Sequence, residues 1–322
     1  MKRRDFLKSM AAAAGWLLTG GVTGWPGMAT AAKNGYYHIV LLSDLHLPWR
    51  TKKFPTDTDQ SEVWEQKQQV LENIKSWEDV DEVAILGDLA ARFGTEEEFV
   101  YVDDYLSCIH VPWYAVAGNH DYAYEDEPNE DGKLQRAPLA SKRAKLAAFT
   151  KRYHLPDVFY ARSVGRYRLL YLAPDGMGHH VELSAAQLAW MEQEIAGHQD
   201  GPMLFFCHAP LMGTLRNYKE KINTPDTTAQ PADALSRILS RCPQGSLWLS
   251  GHTHTPPKND SFADDSVNRF NANLVNIHNP TLDKRHVYTN SLYLYGSRVL
   301  VRTFDHTRGK WVDDLERVYE SP

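Results

Sequence analysis

Cysteine is scarce in this chain: Cys108, Cys207 and Cys242 are three in 322 residues, too few for a disulfide framework. Cys207 lies in an apolar run directly before His208, which reads as a buried thiol rather than a nucleophile or ligand. Surplus positive charge is missing as well. The formal net charge is −6 and no basic stripe is interleaved with aromatics, so nucleic acid is not an expected partner. Internal repeats and low-complexity segments are absent, which excludes a stacked-repeat architecture. What the chain does have is 43% hydrophobic residues, enough for a substantial core, and a length that allows one or two domains.

The first residues read as an address rather than as fold. Lys2-Arg3-Arg4-Asp5-Phe6-Leu7-Lys8 has the form of a twin-arginine export signal. A weakly apolar stretch runs from Met10 towards Met28, and Ala29-Thr30-Ala31 fits a small-x-small cleavage site, so residues 1–31 are expected to be removed and 32–322 to form the working domain. The alternative is a retained anchor, because Ser9 to Ala32 carries no charge. Gly15, Gly20, Gly21, Gly24, Pro26 and Gly27 weaken a spanning helix there, and no stable membrane span is expected after cleavage. Without a cysteine near that site, lipid attachment is excluded. Removal deletes four cations and one anion, taking the formal charge from −6 to −9. The expected location is periplasmic or otherwise exported, with the twin-arginine machinery as a partner. That route carries folded proteins, often with a cofactor already in place.

In the remaining chain, apolar runs alternate with helical patterns. Strands are expected at Tyr36–Leu42, Glu82–Leu86, Trp113–Ala117, Met203–Cys207 and Ser246–Ser250. Hairpins are expected over Val158–Ala173, turning at Gly165-Arg166, and over Ser291–Phe304 around Gly296-Ser297, with a further return at Lys310–Val312. Helices are expected near Gln60–Trp77 (capped by Asp59 and Glu62), Thr95–Ile109 (capped by Thr95 and Glu98), Ala140–Tyr153, Ala185–His198 (capped by Ser184 and Gln187) and Pro231–Ser240. Loops fill 48–58, 122–138, 209–230 and 256–287. This order predicts one α/β domain: a largely parallel sheet, extended and backed by antiparallel strands, with function at the carboxyl ends.

Those carboxyl ends carry the chemistry. Asp44-Leu45-His46, Gly87-Asp88, Gly118-Asn119-His120-Asp121, His208 and Gly251-His252-Thr253-His254 each follow an apolar run. They supply carboxylate, amide and imidazole ligands in one order along the chain. Asp44 and His46, two residues apart past a strand end, can aim at one ion, and the carboxylate of Asp88 can bridge two. Asn119, His208, His252 and His254 complete enough ligands for a pair of metals, which can jointly hold a phosphoryl group and lower the pKa of a shared water. Glycines at 87, 118 and 251 let the backbone turn sharply and approach closely. Singly, these motifs are common turns, helix caps or core histidines; their spacing as a set is the specific signal.

The ordered set resembles the calcineurin-like metallophosphoesterase superfamily over residues 36 to 304, and its Asp-x-His opening with Gly-Asn-His-Asp is similar to the bacterial branch of class III cyclic nucleotide phosphodiesterases. The resemblance implies a four-layer αββα sandwich with a dinuclear metal site at the carboxyl ends of its strands. Carried over by motif, Asp44, His46, Asp88 and His254 would hold one ion, and Asp88, Asn119, His208 and His252 the other. A hydroxide shared by the ions would be the nucleophile. His120 would face the leaving group as general acid, and Asp121 would orient its imidazole. Mn²⁺, Zn²⁺ or an iron-containing pair (Fe/Mn, Fe/Zn) all suit the mixed nitrogen and oxygen ligands.

One departure stands out. Relatives often carry a second acid in Gly-Asp-x-x-Asp-Arg, where this chain has Ala91 before Arg92; Asp121 is then expected to steady the histidine. Arg92 and Arg216 are candidate phosphate contacts, with Lys219 and Lys221 as further cations after His208. His179 and His180 read as pocket lining or turn residues, the turn favoured. The acidic loop Glu125–Asp131 would discourage highly charged polyphosphates if it covers the site, and otherwise serves solubility. The expected activity is an exported hydrolase of small phosphate esters, with diesters preferred. The alternatives are a phosphomonoesterase or nucleotidase with the same ions, and a metal-binding protein without turnover.

Overall fold

A computed structural model describes residues 34–321, so the expected export signal lies outside the described residues. Side-chain alternation on the strands decides the layering. In β1 (Tyr37–Leu42), Ile39 and Leu41 point to one face while Val40 and Leu42 point to the other, and all four are buried. A strand buried on both faces must be central, and β1 is: β2 (Glu82–Leu86) lies parallel on one side, with β3 (Trp113–Val116) beyond it. On its other side β9 (Tyr288–Leu294) is antiparallel, followed by β10 (Arg298–Asp305), which also pairs with β11 (Lys310–Trp311) and β12 (Arg317–Glu320). These seven strands form the first sheet. The second has the order β4 (Tyr160–Val164), β5 (Tyr167–Leu172), β6 (Met203–Cys207), β7 (Ser246–Ser250), β8 (Leu274–His278).

The sheets face each other. Ile39, Leu41, Ala84, Leu86, Leu292 and Val301 of the first pack against Leu169, Tyr171, Leu204, Phe206, Leu249 and Ile277 of the second. On the outer face of the first sheet, Val40, Leu42 and Ile85 meet Val70 and Ile74 of α1 (Asp57–Ser76), Phe99 and Val102 of α2 (Glu96–Ser107), and, beyond a short helix α3 (Asn119–Tyr122), Leu146 and Phe149 of α4 (Leu139–Arg152). The second sheet's outer face, with Leu170, Phe205 and Trp248, is covered by Met191 and Ile195 of α5 (Ala185–Gly197) and Leu235 and Ile238 of α6 (Ala232–Leu239). The result is helix, sheet, sheet, helix: the expected α/β sandwich in four layers. Among the described residues no helix is long and apolar enough to cross a membrane.

Several local expectations need correcting. The N-cap of α1 is Thr56, whose hydroxyl accepts from Asp59 N at 3.1 Å while the Asp59 carboxylate accepts from Thr56 N at 3.4 Å. Asp59 is therefore the reciprocal partner at N3, and Glu62 is not part of the box. Thr95 caps α2 as expected, accepting from Glu98 N at 3.3 Å, but the Glu98 carboxylate turns back to the N–H groups of Arg92, Phe93 and Gly94 at 2.8–3.0 Å. The stretch 256–287 is not one loop. It holds β8 and a short helix α7 (Asp265–Asn268). The signal for β8 is masked because Asn276 and His278 are polar yet buried: the Asn276 carboxamide accepts from Leu211 N, and His278 Nε2 lies 2.8 Å from the Thr214 carbonyl. β5 to β8 are parallel, so parallel pairing extends through both halves of the chain. β12 also lay outside the expected elements.

Candidate metal centre

Five strands that meet the centre end on the same side. β1, β2 and β3 lead to Asp44/His46, Asp88 and Asn119, and β6 and β7 of the facing sheet lead to His208 and His252/His254. Beyond their strands the first two loops run side by side, with Asp44 N, His46 N and Leu47 N donating to the carbonyls of Gly87, Asp88 and Leu89. The sheets are stitched together here: His208 Nδ1 lies 2.7 Å from the Leu86 carbonyl, and His252 N donates to both Asp44 oxygens at 3.0 and 3.2 Å.

The backbone is strained where the ligands sit. Asp44, His46, Asp88, His252 and His254 all have positive φ, between 45° and 63°. Each such residue costs about 1–3 kcal/mol relative to ordinary backbone, a cost the surrounding hydrogen bonds must outweigh. Two glycines make the close approach possible. A Cβ on Gly118 would overlap Asp88 N and Oδ1, and one on Gly251 would overlap Ser43 Oγ and Asp44 Oδ2.

The side chains converge in two overlapping groups. Asp44, His46, Asp88 and His254 offer ligand atoms that lie within 4.8 Å of one another, and so do Asp88, His208 and His252. Asn119 Oδ1 adds to the second group, 3.2 Å from His208 Nε2. Nε2 of His46 and Nε2 of His254 face each other at 3.2 Å; Asp44 Oδ1 is 3.0 Å from the latter and Asp88 Oδ2 3.7 Å from the former. Asp88 Oδ2 is also 3.3 Å from His208 Nε2, which lies 3.1 Å from His252 Nδ1. Donor atoms bound to one cation at about 2.0–2.2 Å sit about 3 Å apart when adjacent, so this spacing fits a shared ion in each group. Among the described contacts, His46 Nε2 meets only other ligand atoms.

Charge is tuned to match. Burial would raise the carboxyls of Asp44 and Asp88, but the histidines around them, His254 and His208 for Asp44 and His208, His120 and His46 for Asp88, hold both below the ordinary carboxylate range. Burial lowers His46, with Arg50 adding to it, lowers His252 to about 3, and lowers His254 against the pull of Asp44. The lowering favours the neutral imidazole, the form a cation binds. His208 goes the other way: burial opposes its charge, yet Asp88 and Asp44 push it up to about 9.

The neighbouring residues fix the ligands' orientation. Tyr124 Oη lies 3.1 Å from both Asn119 Nδ2 and His180 Nε2. Asn119 donates to the hydroxyl and the hydroxyl donates to His180, so the amide oxygen of Asn119 is the atom that faces the cluster. His180 Nδ1 then reaches the Asp226 carbonyl at 3.2 Å, which also accepts from His252 Nε2 at 2.8 Å. That contact fixes His252 to present Nδ1 to the centre. Arg136 anchors Asp226 through its carboxylate at 2.8 Å. Beneath the first group lies a buried lysine. Lys67, on the apolar stripe of α1, donates to the carbonyls of His46 and Pro48 at 3.0 and 2.9 Å and pairs with Asp283 at 3.4 Å.

His120 sits at the edge, its N–H donating to Asp88 Oδ1 at 2.8 Å. Its Nδ1 lies 2.9 Å from the Arg92 carbonyl, which leaves Nε2 for other work. Asp121 does not orient this ring. Its two oxygens accept from Ala90 N and Gly118 N, each at 2.8 Å, so it ties the two ligand loops together. Burial, then the charge of Asp88, raises its carboxyl. The role expected of Asp121, or of an acid at position 91, is filled by the main chain of Arg92. Among the described contacts, the side chains of Arg92 and Arg216 do not reach the cluster: the Arg92 guanidinium lies 4.6 Å from the Phe93 ring, and Arg216 pairs through its main chain with Ser261. Sequence reasoning passed over Tyr124, Asp226, Lys67 and Arg50, which belong to no motif, and favoured a turn for His180. The one available signal was Lys67 within an otherwise apolar helical stripe.

Comparison with known proteins adds to this geometry. A family model described as calcineurin-like phosphoesterase matches residues 37–256. A 3′,5′-cyclic-nucleotide phosphodiesterase of Nostoc sp. is 23% identical over 176 residues, covering 55% of this chain and 56% of that protein; the chain thus matches about half the length of this relative. Two solved structures share the fold. A purple acid phosphatase from yellow lupin (Lupinus luteus) seeds aligns with a TM-score of 0.52 at 12% identity, over 89% of this chain and 53% of the other. PhoD aligns with a TM-score of 0.51 at 10% identity, over 88% and 73%.

Proposed function

The chain belongs to the calcineurin-like phosphoesterase family, and from that premise we propose that it is an exported, metal-dependent hydrolase of small phosphate diesters. The observation that carries the reading is Asp88, whose carboxylate is common to both ligand groups. Asp44, His46, Asp88 and His254 would hold one cation, and Asp88, Asn119, His208 and His252 the other. Bound there, two cations supply charge neutralisation of the phosphoryl oxygens and a water of lowered pKa.

The chain's own residues do the rest. His208, with Nδ1 on the Leu86 carbonyl, and His252, with Nε2 on the Asp226 carbonyl, have their rings fixed before any ligand arrives. The Arg92 carbonyl holds His120 Nδ1, which aims Nε2 to give a proton to the departing oxygen. Asp121 keeps the Asp88 and Asn119 loops at a fixed separation. The preference for diesters is supported by the name of the Nostoc relative, and export by the paired arginines at positions 3 and 4.

The test is hydrolysis of bis-(p-nitrophenyl) phosphate and p-nitrophenyl phosphate, with and without added Mn²⁺. The proposal expects Mn²⁺-dependent turnover with the diester faster. A faster monoester would favour a phosphomonoesterase, and no turnover with any metal a binding protein.

A further inference from the structure

The two sides of the centre differ in charge. Around His252, Arg136 pairs with Asp226, Glu182 accepts from His179 N, and Tyr124, His179 and His180 lie beside them. Around His254 there is an excess of cations. The buried Asp283 carries three of them, Arg50 Nε at 2.7 Å, Lys53 Nζ at 3.0 Å and Lys67 Nζ at 3.4 Å. One carboxylate cannot neutralise three cations. Two more lie close by: Lys219, whose Nζ donates to the Thr253 carbonyl at 2.9 Å, and the exposed Lys284, next in sequence to Asp283. Burial first, then the like charges of Lys284 and Arg50, lower the pKa of Lys219 against the pull of Asp44.

Arg50 is the member aimed at the centre. With Nε held by Asp283, its Nη2 lies 3.4 Å from His254 Nδ1, across the imidazole from the Nε2 that faces Asp44 and His46. A guanidinium has only donors. When His254 binds a cation through Nε2, its Nδ1 carries the ring proton, and two donors then face each other. The free N–H groups of Arg50 then need an acceptor beside the ring rather than the ring nitrogen itself. The side chain is 24% exposed, so the acceptor can come from solvent or from a bound molecule.

We propose that Arg50 and Lys219 form an anion subsite beside His254 that takes a second phosphate group of the substrate, next to the ester held by the cluster. This rests on the phosphodiesterase reading and deepens it: the preferred substrate is a diester with a terminal phosphate on one arm. Surplus charge of more than one unit selects a dianion over a carboxylate, and the arginine fork matches phosphate oxygens. Part of the charge on the acidic loop is already engaged locally, with Asp126 on Lys145 at 2.6 Å and Asp131 near Lys133 at 3.5 Å.

The test compares thymidine 3′-(4-nitrophenyl phosphate) with and without a 5′-phosphate, in the metal-loaded full chain and in its Arg50→Gln and Lys219→Gln variants. The subsite predicts about a tenfold higher kcat/KM for the phosphorylated ester, mostly through KM, which is about 1.4 kcal/mol. The ratio should fall several-fold in each variant, and Lys219 is exposed enough that its replacement leaves the fold intact. Calorimetric binding of thymidine 3′,5′-bisphosphate against thymidine 3′-phosphate gives a readout independent of turnover and should follow the same order. Equal kcat/KM for the two esters in the unmodified chain, or a preference undiminished in both variants, overturns the subsite. An Arg50-dependent preference for the bisphosphate in a protein that hydrolyses no diester would keep the subsite and reject the phosphodiesterase reading.

Discussion

At the scale of single residues, His120 stands apart from the two groups of converging ligand atoms, with its Nε2 unengaged by the main-chain contact that holds Nδ1. His120 donates its main-chain N–H to Asp88 and sets its ring edge-on to His46 at 4.9 Å between centroids, while its Nδ1 is fixed by the Arg92 carbonyl. Replacing it with alanine should leave metal content unchanged. Rates with alkyl leaving groups, which need a proton, should fall by about 10²–10⁴, and those with nitrophenolate by much less. Parallel elemental analysis and kinetics on the two ester types check this; an equal loss on both would mean that His120 does not act as the acid. The convergence of these residues was legible in the sequence because each follows a strand-like apolar run. The partner of His120 was not. A main-chain carbonyl has no sequence signature, and Asp121 drew the role by being adjacent.

At the scale of elements, the loops after β1, β2, β3, β6 and β7 are held by contacts that skip along the chain. The path from Asn119 through Tyr124 and His180 to the Asp226 carbonyl and His252 joins the 122–138 loop to the 209–230 loop. Removing one hydroxyl should loosen it. Tyr124→Phe leaves the Asn119 amide free to turn its nitrogen inward, and affinity for one of the two cations should drop by about 10–100-fold. Metal titration followed by calorimetry would register one weakened site and one intact; two unaltered sites would assign Tyr124 to packing alone. The elements themselves were mostly readable from apolar periodicity. β8 was missed for a physical reason, since Asn276 and His278 interrupt the pattern and are paid for by hydrogen bonds invisible in the sequence.

At the scale of the whole molecule, the sandwich buries polar groups between and beneath its sheets, and stability should report it. His278 is buried, with Nδ1 unpartnered, and burial, against the Thr214 carbonyl, lowers its pKa to about 4. Its unfolded value is about 6.5. A depressed folded pKa gives stability that is complete above the unfolded value and lost as pH falls towards the folded one. Between about pH 6.5 and 4 the folded state should therefore lose roughly 3 kcal/mol through this group. Thermal melts from pH 7.5 to 4.5 should be visibly flatter for His278→Gln than for the unmodified chain; parallel curves would mean that His278 does not contribute. The four layers were foreseeable from strand and helix order with the family resemblance, whereas the parallel pairing that runs through β5 to β8 depends on a strand the sequence concealed.

The central claim is that seven side chains from five loops close around two cations sharing Asp88. Metal-free protein loaded with Mn²⁺, desalted and assayed by elemental analysis tests it directly, beside Asp88→Ala treated identically. The account predicts two ions per chain in the unmodified protein and near-complete loss of both in the variant. One ion or none in the former, or two retained in the latter, would contradict it.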